Sequence, residues 1–288
     1  MKSLARRWID RENLALVTGS ILVYLSVPGK GQGAWYLAFF AFMPLFHFIS
    51  SRKTGWERLT GGLFFGFVAS VPMLTWIDFT LSTYGGLGHI LGFAAVFLLA
   101  VFLGIYFSVF SFLTGLIVDS TGATGFLFAP FAWAFIEILR LKWDLGFPWL
   151  LLGYSQEGNL YLRNFASYVG ITGLGFIVML VNSLFFLGFK NLAMRRKTGA
   201  VLFFLAGIGV VGLCYLGGRS HALGYEERVE EGKVRVRIVQ PSIDQWKKWD
   251  EDFRDDTFRI LSSLSFEKTD SLDLIVWPET ALPFFVYV

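Results

Sequence analysis

Over the first three quarters of the chain, long uncharged apolar stretches alternate with short charged ones. Seven stretches, at about 14–28, 35–50, 60–77, 88–118, 123–139, 165–189 and 199–217, approach the ~20 mostly apolar residues that a helix needs to cross a bilayer. The first is short and ends at Pro28-Gly29, with Lys2, Arg6, Arg7 and Arg11 before it. That layout resembles a signal peptide, but no small-x-small site follows and a second apolar stretch starts almost at once, so it reads as an uncleaved helix. The pattern predicts a polytopic α-helical membrane bundle of about seven spans over residues 1–217.

Beyond residue 217 the period changes. Lys233–Gln240 (KVRVRIVQ) alternates basic and apolar residues, the mark of a strand with one buried face. Asp250–Leu264 places Phe253, Thr257, Ile260, Leu261 and Leu264 at helical spacing, with acidic residues at its start as the helix dipole prefers. Leu272–Trp277 (LDLIVW) is a short apolar run of the kind found in a doubly covered strand, and it ends in Pro278-Glu279. Strand, helix and strand, with a carboxylate where the last strand ends, is the layout in which an open α/β sheet builds its site. Two strands and one helix do not cover both faces of such a sheet, so residues 218–288 read as the incomplete N-terminal portion of a soluble domain.

Composition sharpens the division. Hydrophobic residues make up 55% of the chain and charged ones 16%, against roughly 25% charged in soluble domains. Residues 1–217 hold 15 Lys+Arg and 8 Asp+Glu, whereas residues 218–288 hold 10 and 14. The net charge of +3 thus arises from a sparse basic part and a dense acidic tail, and it gives no argument for nucleic acid as a partner. With the N-terminus inside, the inner segments 1–13, 51–59, 119–122 and 190–198 carry 11 Lys+Arg, and the outer segments 29–34, 78–87 and 140–164 carry 4. This bias predicts a cytoplasmic N-terminus, and seven spans then put the tail on the other side. Cys214 is the single cysteine and lies inside an apolar run, where it reads as a small packing residue. His47, His89 and His221 show no ligand spacing, so neither a metal nor any other cofactor is expected.

Four places could carry chemistry. Glu279, flanked by Trp277 and Pro278 and followed by apolar residues, is expected to be partly desolvated, which would make it a usable general base. The loop Gln240–Trp249 (QPSIDQWKKW) reads either as an amphipathic surface turn or as a place where Trp246 and Trp249 meet lipid. Glu137 and Arg140, at i and i+3 near the end of the fifth stretch, are expected to be an interfacial ion pair with snorkelling stems. Gly146-Phe147-Pro148-Trp149-Leu150, continued by Gly153-Tyr154-Ser155-Gln156, predicts a non-helical connection. It admits two readings, the floor of a lipid-accessible site or an ordinary aromatic-belt loop. Asp78 and Asp119 fall at predicted span ends and call for no function.

Together these segments resemble the apolipoprotein N-acyltransferase family of bacterial inner membranes. The likeness rests on Gly61–Gly86 with Trp76-Ile77 and Tyr84-Gly85-Gly86; on Glu137–Gln156 (EILRLKWDLGFPWLLLGYSQ) and Val169–Asn182; and on Val239–Trp249 with Leu274–Pro283 (LIVWPETALP). The resemblance implies a transmembrane bundle joined to a periplasmic nitrilase-like α-β-β-α (CN hydrolase) domain. It implies transfer of an acyl chain from a phospholipid to the α-amino group of the N-terminal diacylglyceryl-cysteine of apolipoproteins, by a ping-pong thioester route on a Glu-Lys-Cys triad. On this likeness Glu279 matches the general base. Trp249, in the loop that carries Gln245 and Lys248, matches a tryptophan that handles substrate, and Gly146 and Trp149 match the membrane motif that supports activity. In the family, the triad Lys and Cys lie well beyond the Trp-Pro-Glu motif. Residues 280–288 hold neither, and Lys268 precedes the motif. The expectation is therefore a C-terminally truncated member whose 288 residues alone are inactive. The alternatives are a catalytically dead scaffold or lipid-binding relative, and a membrane-anchored nitrilase-like amidase.

Overall fold

The computed structural model describes residues 11–29, 33–142, 146–226, 234–267 and 271–282. Lys2, Arg6, Arg7, Lys30, Lys233, Lys268 and the FFVYV run at 284–288 lie outside the described residues.

Helix α1 (Arg11–Ser26) crosses α3 (Gly55–Met73) closely. Ser20 Oγ donates to the α3 carbonyl of Phe65 at 2.8 Å, a polar tie of the kind that holds helices together where no water competes. The second expected stretch is not one helix: Trp35–Phe39 is a 3-10 turn, and α2 (Met43–Ser51) begins after it with Pro44 in its first turn. Proline brings no N–H, and the break exposes main-chain groups in an apolar core. Asn182 supplies both partners, its Oδ1 accepting from Phe42 N at 2.9 Å and its Nδ2 donating to Ala38 O at 2.8 Å.

The third expected stretch is also broken. Helix α3 is capped by Thr54, whose Oγ1 accepts from Glu57 N. It ends at Leu74 after Pro72, and α4 (Thr75–Thr83) leaves at 49°. Helix α5 (Gly88–Thr121) packs along α3 through Gly62, where an added Cβ would stand 2.5 Å from the carbonyl oxygen of Phe107. Two polar contacts hold α5 to its neighbours. Arg58 of α3 is bidentate to Asp119 at 2.6 and 2.8 Å, and Asp78 of α4 meets His89 Nδ1 at 3.1 Å. Both aspartates thus have structural work, which sequence position alone did not suggest.

The chain reverses through the 3-10 turn Gly122–Phe128 into α6 (Ala129–Lys142). Trp133 of α6 sits 5.0 Å from the ring of Phe107 and 5.1 Å from that of Phe110. Phe42 joins the same cluster from α2's N-terminus, and Phe46, Phe126 and Phe186 extend it. Helices α7 (Leu160–Ala193, kinked at Gly170) and α8 (Lys197–Glu226) lie antiparallel, with Tyr161 beside Tyr215 and Phe189 beside Phe204. Cys214 is buried in the core, as a packing residue would be.

Among the described residues, three helical stretches are long and apolar enough to cross a membrane: Gly88–Lys142, Leu160–Ala193 and Lys197–Gly224. The bent pair α3–α4 makes a fourth if it is one span, and Glu12–Ser26 and Trp35–Ser51 are shorter apolar segments. The bundle expected from the apolar pattern is present as a helical assembly. Its first three stretches are short or broken, because Pro28, Pro44 and Pro72 interrupt them.

The tail folds as strand, helix, strand. β1 (Val236–Ile238) pairs in parallel with β2 (Leu274–Val276), in the register Val236↔Leu274, Arg237↔Ile275 and Ile238↔Val276. Between them come the short helix α9 (Gln245–Lys248), a 3-10 turn at Glu251–Phe253 and α10 (Arg254–Phe266). Leu261 and Thr257 of α10 are buried, and Arg237 Nη1 donates to Ser265 O at 2.9 Å. Val236, Ile238, Leu274 and Val276 are exposed, so one face of the two strands is apolar and open among the described residues.

Candidate functional site

The expected non-helical connection is real, and the last turn of α6 holds it from beneath. Gly146–Pro148 has no regular structure, Trp149 and Leu150 form a turn, and Leu152–Gln156 is a 3-10 helix. Leu150 has a φ of +63°, a conformation that a branched side chain rarely adopts. Arg140 Nε donates to Phe147 O at 2.8 Å, and its Nη2 donates to Trp149 O. Glu137 Oε1 accepts from Leu152 N at 2.7 Å. The guanidinium also lies 5.7 Å from the centroid of Tyr106. Residue exposure is 1% for Glu137 and 3% for Arg140.

This corrects the expectation of a snorkelling interfacial pair. The two groups turn inward because the neighbouring loop offers bare main-chain carbonyls and an N–H that nothing else in an apolar surround can satisfy. Helix α7 closes the site from behind. A Cβ on Gly153 would meet the carbonyl of Ile171, and one on Gly175 would stand 2.7 Å from Glu137 Oε2.

The outer side of the loop is aromatic. Trp149 is half-exposed; its ring lies 4.8 Å from that of Trp76 on α4 and 5.2 Å from that of Phe147. Trp76 and Leu150 line a cavity of about 500 Å³ with Tyr24, Pro28, Met73 and Thr75. Gly146, at the base of the loop, is partly buried.

A second cluster gathers the other candidates. Asp244 caps α9 by accepting from Trp246 N at 2.9 Å, and α9 presents Gln245 and, at its end, Trp249, both exposed. Lys248 Nζ donates to Thr280 Oγ1 at 2.9 Å, which ties this loop to the turn carrying Glu279. Glu279 is exposed, contrary to the expected desolvation. Trp277 does not cover it, because that indole turns to α10 and donates Nε1 to Ser265 Oγ at 2.8 Å.

An aromatic contact links the second cluster to the turn after α4, the helix that carries Trp76. The ring of Tyr84, in the turn after α4, lies 6.3 Å from that of Trp246 and 6.0 Å from that of Phe79. The structure thus joins Gln245 and Trp249 to the Glu279 turn, and Gly146 and Trp149 to Trp76. No direct contact is recorded between Trp149 and Glu279. Glu137 and Arg140, expected only as an interfacial pair, and Trp76 and Tyr84, which enter only through the family resemblance, stand at the candidate site. The available signal was two ionisable residues inside an apolar helix, which usually marks more than an anchor.

Residues 19–184 match the family model described as the apolipoprotein N-acyltransferase N-terminal domain. Among curated relatives, an apolipoprotein N-acyltransferase of Geobacter metallireducens is 31% identical over 96% of this chain and 52% of its own length. Those of Pasteurella multocida and Haemophilus influenzae are 28% and 27% identical, each over 94% of this chain and 50% of the relative. The chain spans about half the length of the curated relatives it matches. On these matches the chain belongs to the apolipoprotein N-acyltransferase family.

Proposed function

We propose that this chain supplies the membrane part, and the opening of the extracytoplasmic domain, of an enzyme of the bacterial inner membrane. That enzyme moves an acyl chain from a phospholipid to the α-amino group of the diacylglyceryl-modified N-terminal cysteine of an apolipoprotein. The carrying observation is the Tyr84–Trp246 contact, which holds the loop of Gln245 and Trp249 against the end of the helical part that bears Trp76 and Trp149. In this reading the bilayer-embedded acyl donor is reached from that rim.

The bundle runs to the end of α8 at Glu226, past the boundary at 217 expected from composition, and the segment that follows opens a nitrilase-like domain whose exposed apolar strand face calls for further cover. In the reaction, Glu279 takes the proton of a cysteine thiol. The thiolate attacks the ester carbonyl of the phospholipid, the lysophospholipid leaves, and a thioester remains. The acceptor amine then attacks that thioester and regenerates the thiol. Lys stabilises the oxyanion in both steps. Neither that Lys nor that Cys is found in residues 280–288, and Cys214 lies mid-helix. Residues 1–288 by themselves are therefore expected not to turn over.

Trp149 and Gly146 line the membrane side of the approach, and Gln245 and Trp249 the outer side. The test is acyl transfer from a phospholipid to a diacylglyceryl peptide, followed by mass spectrometry in the protein taken from its own membranes. Absence of a trapped acyl-thioester there would leave a lipid-binding scaffold as the better reading. N-acylation by residues 1–288 alone would overturn the expected inactivity.

A further inference from the structure

We propose that Arg140, with Glu137 as a second anchor, is a positioning residue. It sets the arc Phe147–Leu152 and thereby seats Trp149 over Trp76. The inference rests on the reading of Trp149 as a residue that meets substrate.

The argument begins with what the arc lacks. Five consecutive residues, Gly146–Leu150, have neither helical nor strand pairing, yet they join a helix and a 3-10 turn inside an apolar assembly. Their carbonyls need donors, and Arg140 provides two from one rigid fork, Nε to Phe147 O and Nη2 to Trp149 O. Carbonyls two residues apart that converge on one planar group force the backbone between them to curve. Leu150 at φ +63° completes that curve. Glu137, one helical turn earlier on the same face of α6, fixes the far end through Leu152 N. Both anchors thus come from a single turn of helix.

The anchors are themselves held in place. Tyr106 lies against the guanidinium, and Gly175 has no side chain to crowd the Glu137 carboxylate, where an added Cβ would stand 2.7 Å from Oε2. The Trp149 indole stands at the crown of the arc, half-exposed and 4.8 Å from Trp76. Every anchoring bond goes to main chain, so no side chain of the arc can replace Arg140. Lysine would keep the charge, but it is a point donor on a flexible stem and does not reproduce the fork. Two ionisable groups buried in an apolar helix are costly, and they serve here to fix a loop that could not otherwise hold one shape.

The experiment uses the protein as it occurs in its membranes. In one series, Trp76→Cys with Trp149→Cys reports the arc through a short bifunctional thiol reagent, with the linked peptides identified by mass spectrometry. In a second series, with both tryptophans intact, kcat and KM for the phospholipid donor are measured. Arg140→Lys is expected to cut the cross-link yield and raise KM by ~10–100-fold, the cost of a misplacement of about 1 Å, with a smaller change in kcat. Glu137→Ala is expected to act in the same direction and Glu137→Gln to restore the cross-link, because an amide oxygen still accepts from Leu152 N. Arg163→Gln, at an exposed ion pair, is the control and leaves both readouts unchanged. Melting temperatures separate loss of the arc from loss of the fold. If Arg140→Lys does not fold, the Glu137→Ala and Glu137→Gln pair carries the test. An undiminished cross-link in folded Arg140→Lys or Glu137→Ala overturns the positioning role. A lost cross-link with KM unchanged upholds the positioning and overturns the substrate reading of Trp149 instead.

Discussion

At the scale of the residue, the polar side chains of the helical part act mainly by repairing main chain that apolar packing cannot satisfy. Asn182 is the clearest case, since it answers both Phe42 N and Ala38 O at a break forced by Pro44. Asn182→Leu should leave two buried groups bare, at about 1–3 kcal/mol each. The expected result is a clearly lower melting temperature in detergent, read by the loss of helical circular dichroism. Glu279 is the opposite kind of residue, exposed and without a packing role among the described residues. Glu279→Gln should therefore fold and express normally while acyl transfer by the native enzyme falls by about 10²–10⁴-fold, as removal of a general base does. Rates within a few-fold of wild type would remove Glu279 from the mechanism.

At the scale of the element, what matters is how closely helices approach and where they stop. Helices α3 and α5 meet through Gly62, where even a Cβ is too close to the Phe107 carbonyl. Gly62→Val should push the pair apart at a cost of about 1–3 kcal/mol. A fall in melting temperature larger than that of Gly209→Val, on α8 where nothing lies within reach of an added Cβ, would bear this out. The end of α6 shows the same logic applied to a stop. Arg140 in its last turn and Glu137 one turn earlier bond to the following loop, so one helix end decides the shape of the next segment. The alternating strand and the 250–264 periodicity were legible in sequence because side-chain period follows directly from local geometry. The inward turn of Glu137 and Arg140 was not legible. Spacing of i and i+3 gives the face of the helix but not what stands opposite it.

At the scale of the whole molecule, two parts of different composition are joined at one rim. The excess of Lys and Arg in segments 1–13, 51–59 and 190–198 argues that the α7–α8 turn is cytoplasmic and the tail is on the other side. Trp246→Cys should then be labelled in spheroplasts by a membrane-impermeant maleimide, and Lys197→Cys should be labelled only after permeabilisation. The reverse pattern would overturn the orientation and the proposed site with it. The Tyr84–Trp246 contact is the joint on which the proposed reaction depends, because it brings the two aromatic clusters to the same end.

The sequence by itself determined the helical membrane part, the strand–helix–strand opening of the tail, the looped Gly146–Gln156 segment and the family. Each of these is written in local period, in charge per segment or in a contiguous motif. Tertiary structure alone decided that Asn182 closes the break ahead of Pro44. It also decided that Glu137 and Arg140 serve a loop rather than the interface, and that Glu279 stands open while Trp277 turns away to Ser265. These depend on partners distant in sequence, such as Asn182 for Phe42, and a buried donor or acceptor takes whichever partner the packing places within reach.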